Sequence, residues 1–161
     1  AWYLNTFAGP DAPPVVNCLQ YAHQMLTAGR LRLRDQRIEE PVAYHDPCNI
    51  ARGGQITEEP REILKTICRN YVEMTPNRTE NYCCGGGGGL LSASEFTAKR
   101  IEAGKLKAEQ IRASAAKVVA TPCHNCIDQL MELNRHYKLG VEIRTLAEVV
   151  ADALVIPRAG G

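Results

Sequence analysis

The chain has 161 residues, 45% of them apolar and 23% charged, and a net charge of +1 with the histidines neutral. That suffices for one domain with a real core, and it excludes disorder, fibrous classes and the basic stripe that nucleic acid requires. No apolar run nears the roughly 18–20 residues that cross a bilayer, and the start Ala1-Trp2-Tyr3-Leu4-Asn5 lacks the basic and apolar regions of a signal peptide. The first residue is not Met, so the chain is read as a piece of a longer subunit or a processed product.

Residues 1–12 read as irregular, with Gly9, Pro10 and Asp11 marking a turn. From Pro13 to Ala28 the positions Val15, Cys18, Leu19, Ala22, Met25 and Leu26 follow helical spacing, and Gly29 ends the helix. Arg30 to Glu40 is a charged surface connection. Pro41 to His45 reads as a buried strand running into the turn Asp46-Pro47-Cys48. Glu58-Glu59-Pro60 opens a helix, with acids at its positive end and Ile63, Leu64, Ile67, Cys68 and Tyr71 on one face. Val72-Glu73-Met74 is a second strand.

Asn81-Tyr82-Cys83-Cys84 and the five glycines Gly85 to Gly89 follow. Lys99 to Ala116 is predicted as one helix, with Ile101, Gly104, Ala108, Ile111 and Ala115 on its inner face. Lys117 to Ala120 is a strand. Thr121 is the expected N-cap, and Pro122 the first residue, of a helix through Tyr137, with Ile127, Leu130 and Met131 inward. Val141 to Arg144 is the last strand, and Thr145 caps a helix to Leu154. This alternation predicts an α/β fold: a mostly parallel sheet with flanking helices. Ligands of such sheets sit beyond the carboxyl ends of the strands. Cys48 and Cys123 each follow a predicted strand, so a site is expected at that edge.

Cysteine is the unusual feature, with seven residues at positions 18, 48, 68, 83, 84, 123 and 126. An odd count without a secretory signal argues against a disulfide framework and for a reducing, cytoplasmic setting. Cys18 and Cys68 fall on apolar helix faces and read as core. Cys123 and Cys126 form a C-x-x-C on one face of a first helical turn, where free N–H groups and the helix dipole favour thiolate. The adjacent pair Cys83-Cys84 suits one tetrahedral zinc poorly, because neighbouring side chains diverge. A cluster of several irons offers each sulfur its own target. Five convergent thiols, Cys48, Cys83, Cys84, Cys123 and Cys126, exceed the four of a closed zinc site or a usual cubane.

Gly85, Gly86 and Gly87 can bring backbone close to such a group and donate N–H to its sulfurs. Neither phosphate-loop pattern fits, since Leu90 and Leu91 stand where Lys and Ser or Thr belong. His45 and His124 are weighed as ligands and set behind the thiols. Asp46 is expected to cap its own turn, and Arg52, Lys99 and Arg100 to be solvated surface. Two other readings of the cysteines stay open: a structural zinc site using four of them, and a metal-free dithiol oxidoreductase at Cys123 and Cys126.

The strings Tyr44-His45-Asp46-Pro47-Cys48, Cys83-Cys84-Gly85-Gly86-Gly87 and Cys123-His124-Asn125-Cys126 resemble the CCG cysteine-rich domain. The likeness runs from Tyr44 to Leu154, and makes 1–161 a single such domain with a helical lead-in at 1–40 and a core at 41–156. The family includes the B subunit of heterodisulfide reductase, iron–sulfur subunits of lactate, glycolate and glycerol-3-phosphate oxidising systems, and the K subunit of sulfite-reduction-associated membrane complexes. The strings look closest to the last.

The resemblance implies a non-cubane [4Fe–4S] cluster on Cys48, Cys83, Cys84, Cys123 and Cys126. It also implies a role in an oxidoreductase: disulfide or thiol reduction, electron relay, or the iron–sulfur part of a lactate- or glycolate-type dehydrogenase. The implied partners are other subunits of a redox complex, namely ferredoxin-like, flavin or membrane cytochrome subunits. The domain itself would not insert in a membrane but would sit peripheral to the inner membrane through them. One motif is present where heterodisulfide reductase B subunits carry two, and no ferredoxin-like cysteine run accompanies it, so the isolated chain is expected to be inactive alone. Without iron, zinc binding or oxidation at Cys83, Cys84, Cys123 and Cys126 is expected.

Overall fold

Helices and strands alternate in the order that the sequence pattern predicts. The computed structural model describes residues 15–35 and 38–155. The predicted irregular start at 1–12 and the Pro13 helix start lie outside the described residues. The elements are α1 (Cys18–Thr27), β1 (Val42–Tyr44), α2 (Glu58–Ile67), β2 (Tyr71–Val72), α3 (Thr97–Ala103), α4 (Lys105–Ser114), β3 (Val118–Thr121), α5 (His124–Tyr137), β4 (Glu142–Thr145) and α6 (Leu146–Ala153). No helix among the described residues is long and apolar enough to cross a membrane.

The four strands form one all-parallel sheet in the order β2-β1-β3-β4. Alternating side chains send Val42, Tyr44, Val118 and Ala120 to one face, where α1, α2 and α6 cover them with Leu19, Leu64, Leu146 and Val149. Ala43 and Val119 face the other layer, built on Ile101, Ile111, Leu130 and Leu133 of α3, α4 and α5. A sheet buried on both faces explains why β1 and β3 are apolar throughout. From β1 the chain goes on to β2 on one side, and from β3 to β4 on the other. The switch point therefore lies between β1 and β3, where parallel sheets place their ligands.

Several local expectations are corrected. The predicted helix Lys99–Ala116 is two helices meeting at Gly104. A Cβ on Gly104 would lie 2.8 Å from the Cys84 carbonyl oxygen and 2.6 Å from Leu133 Cδ2, so this is where the cysteine loop crosses the helix pair. Met131 is 49% exposed; the inner stripe of α5 is Cys126, Gln129, Leu130 and Leu133. Cys18 is exposed rather than core, because it is the first residue of α1, beside the capping Asn17. Cys68 is buried as expected. At α6 the predicted cap is present: Thr145 Oγ1 accepts from the Glu148 N–H at 3.1 Å, and a Glu148 carboxylate oxygen accepts from the Thr145 N–H at 2.9 Å.

Candidate metal centre

Cys48 follows β1 through His45-Asp46-Pro47, and Cys123 follows β3 through Pro122. The two strands are paired neighbours, so both loops leave the sheet at the switch point. Thr121 continues the β3 ladder opposite Thr145 instead of capping a helix. Cys123 is therefore the extended N-cap of α5, and Cys126 sits inside its first turn. The expectation that both lie on one helical face is corrected by that step.

The loop after β2 brings in Cys83 and Cys84. Cys83 is exposed, Cys84 and Cys126 are buried, and Cys48 and Cys123 are intermediate. The Cys84 and Cys126 sulfurs are 3.4 Å apart. Cys83 lies close enough to both Cys48 and Cys84 for the thiols to perturb one another's ionisation. Four of the five predicted sulfurs thus form a chain, Cys48–Cys83–Cys84–Cys126. Cys123 packs against the same core layer as Cys84 and Cys126.

Close approach is what requires the glycines. Gly85 has φ +90°, and its Cβ position lies 2.8 Å from the Arg100 carbonyl oxygen. The Gly86 position lies 2.7 Å from Gln129 Cβ. The backbone is thereby wedged between α3 and α5. Its N–H groups turn to the thiols: Gly85 donates to Cys83 Sγ at 3.3 Å, and the Gly86 N–H favours the Cys84 thiolate. A Cβ on Gly87 would meet nothing within 4 Å among the described residues.

Arg100 is a second correction, since it is buried rather than solvated. It donates to Gln129 Oε1 and, at 2.8 Å, to Glu132 Oε2, while Gln129 Nε2 donates to the Arg100 carbonyl at 3.1 Å. This clamp ties α3 to α5 across the glycine loop. Arg52 and Lys99 are exposed as expected, and Arg52 donates to the Thr79 carbonyl at 2.7 Å and to the Asn81 carbonyl.

Asp46 does not cap its own turn. It takes a two-pronged bond from buried Arg61, with Nη1–Oδ1 and Nη2–Oδ2 both 2.8 Å, and accepts the Arg78 N–H at 2.9 Å. Arg61 also donates to Glu73 and to the Thr57 carbonyl. This network fixes the turn that carries Cys48.

His45 is closer to the centre than the sequence suggested. It is 1% exposed, neither ring nitrogen has a hydrogen-bond partner among the described residues, and a ring nitrogen lies within 4.8 Å of the Cys84 and Cys126 sulfurs. Burial, helped by the Lys107 charge, holds it neutral by driving its pKa well down. His124 points outward, 86% exposed, as expected. Lys107, Arg61, Arg100 and Gln129 were not predicted as site residues. A signal existed for Lys107: it sits three residues from Gly104 and four from Ile111, on the apolar face of its helix.

Burial raises the Cys48 pKa, and the neighbouring Cys83 raises it further. A shared hydrogen bond with Cys84 raises Cys83, and the bond with Cys126 pushes Cys84 up to about 12. Metal-free, Cys48, Cys83 and Cys84 hold their protons. A bound cation inverts that balance, because a coordinated thiol is deprotonated outright. The donor set, soft sulfurs around an orphaned imidazole, fits a soft or borderline metal or an iron–sulfur group.

The family model for the CCG cysteine-rich domain matches residues 42–131. Over 152 residues, 90% of this chain, there is 29% identity to the Hdr-like menaquinol oxidoreductase iron–sulfur subunit 2 of Archaeoglobus fulgidus, of which 27% is covered. Identity is 35% over 74% of this chain to the Hdr-like menaquinol oxidoreductase iron–sulfur subunit of Archaeoglobus profundus, with 22% of that protein covered. It is 30% over 82% of this chain to the probable iron–sulfur-binding oxidoreductase FadF of Bacillus subtilis, 19% of which is covered. A heterodisulfide reductase component of Methanosarcina barkeri, acting on dihydromethanophenazine and CoB–CoM by its name, is 25% identical over 91% of this chain, with 36% of it covered. The chain spans about a fifth to a third of the length of these relatives. The match covers more than half of the chain and includes every candidate ligand, from Cys48 to Cys126, and on that ground the chain belongs to the CCG cysteine-rich domain family.

Proposed function

We propose that this chain is an iron–sulfur electron-transfer domain of a multi-subunit oxidoreductase, holding a non-cubane [4Fe–4S] cluster on Cys48, Cys83, Cys84, Cys123 and Cys126. The observation that carries the reading is the sulfur chain Cys48–Cys83–Cys84–Cys126 at the sheet's switch point, with Cys123 at the adjoining helix start. Bound there, the cluster would supply one-electron oxidation and reduction. The protein's own part is to orient and tune. Asp46 and Arg61 fix the Cys48 turn, the Gly85 and Gly86 N–H groups donate to sulfur, and the Ala43–Val119 layer keeps water from the inner side.

Relatives named as menaquinol oxidoreductase and heterodisulfide reductase subunits support a role in disulfide or thiol reduction, or in relay toward it. The partners are then other subunits of such a complex, with any membrane contact made through them. A second reading, a zinc-holding interaction module, is favoured by one observation: His45, Cys84 and Cys126 offer ligand atoms mutually within 4.8 Å, suited to a single ion.

Metal analysis of protein purified without oxygen separates the two. About four irons and four sulfides, with a paramagnetic signal after oxidation that responds to added thiol, is the expected result. Cys84→Ser should abolish or alter that signal. About one zinc and no iron, persisting after attempted cluster assembly, would sink the electron-transfer reading.

A further inference from the structure

Lys107 is 1% exposed, on the buried side of α4, whose Ile111 packs into the layer holding Cys84 and Cys126. Its ammonium donates to Gln110 Oε1, and Gln110 Nε2 in turn donates to the Pro76 carbonyl. An ammonium has three N–H donors, and no other hydrogen bond and no ion pair is made by Lys107 among the described residues. Asp46 is near, but Arg61 and the Arg78 N–H already occupy both its oxygens. The other groups acting on the ammonium are the thiols of Cys84, Cys83 and Cys126, and burial outweighs them all, drawing its pKa down to about 8. Among the described residues His45 has no partner at either ring nitrogen, and the Lys107 charge acts on it.

A buried cation without an anion is unfavourable. The fold nevertheless builds one, props it with a glutamine, and carries it on the helix whose Ile111 packs in one layer with Cys84 and Cys126. Five thiolates outweigh the positive charge of an iron–sulfide core, so a loaded centre is anionic, and reduction adds one more negative charge. Net charge and hydrogen bonds to sulfur are the levers that set such a potential.

We propose that Lys107 is the fixed counter-charge of the metal centre, a positioning residue that favours the centre's reduced state without ligating it. This rests on the cluster reading above. It assigns α4, which contributes no cysteine, a direct part in the site. The test is Lys107→Met in the intact protein, prepared and loaded with iron and sulfide without oxygen, and titrated by paramagnetic resonance against a potential scale. Lys105→Met, on the exposed side of the same helix, is the control.

With iron content equal to wild type, the equilibrium constant for one-electron reduction should fall at least about fivefold in Lys107→Met, tenfold being 59 mV, while Lys105→Met stays within about twofold. A smaller shift in a fully loaded Lys107→Met overturns the proposal. Should that variant fail to hold iron, thermal unfolding of the iron-free chain decides. An unchanged or higher midpoint means that only the loaded state needed the cation, as proposed. A lower midpoint makes Lys107 a structural pin and overturns it. Wild-type protein that takes up no iron overturns the cluster reading first, and this inference with it.

Discussion

Arg61→Met tests how the fold holds the turn that carries Cys48. Arg61 is fully buried and engages all five N–H donors: two with Asp46, two with Glu73 and one with the Thr57 carbonyl. Methionine fills similar space and offers no donor. Glu73 is 32% exposed and can turn to water, whereas Asp46 is 1% exposed and cannot. The loss is therefore set by the two Asp46 bonds. Hydrogen bonds to charged groups contribute about 1.5–3 kcal/mol each, and breaking one partner of a buried pair typically costs about 3–5 kcal/mol. We expect a loss of about 3–5 kcal/mol, a large fraction of the roughly 5–15 kcal/mol of a whole domain. Urea unfolding of the metal-free chain measures it, from the midpoint and slope. The double variant Arg61→Met, Asp46→Asn should recover part of the loss, because the stranded charge is gone. A loss below about 1 kcal/mol, or strictly additive effects in the double variant, would refute the account.

Two further outcomes follow from the packing. Gly86→Ala should destabilise the chain by about 1–3 kcal/mol through overpacking against Gln129 and lower its iron content, whereas Gly87→Ala, in open space, should do neither; equal effects would count against the wedge. Burial pushes the Cys68 thiol from 9.0 up to about 11, so folding favours its protonated form. That stability is whole below the ordinary thiol value and is lost as pH rises through 9.0 toward about 11. Cys68→Ala should therefore remove about 2–3 kcal/mol of alkaline destabilisation between those limits, read as the difference in unfolding free energy between the two chains; parallel pH curves would show the thiol to be unperturbed.

The periodicity of apolar residues was enough to predict the sheet, because β1 and β3 are buried on both faces and read as unbroken apolar runs. The cysteine edge was legible for the same reason: strand ends and turn residues locate Cys48 and Cys123 without knowledge of side-chain contacts. What stayed hidden was long-range. Asp46 looks like a turn cap because its partner, Arg61, lies 15 residues on, in the next helix. Arg100 looks like surface until Gln129 and Glu132 of α5 arrive beside it. The break at Gly104 depends on where Cys84 crosses the helices, which no local pattern encodes. The placement of Cys123 outside its helix follows from Thr121 extending the ladder with β4, a pairing also set at a distance.

Cys84 and Cys126 belong at once to the packed layer on one face of the sheet and to the sulfur chain at its carboxyl edge. The two faces of the sheet should therefore tolerate sequence drift unequally. On the α1, α2 and α6 side, aliphatic residues such as Leu19, Leu64 and Val149 answer only to shape and can exchange in compensating pairs. On the other side, two positions answer to shape and to chemistry together. Their neighbours Ile101, Ile111 and Leu130 must accommodate a thiol of fixed size, so variation on that face is confined to what leaves the sulfurs where they are.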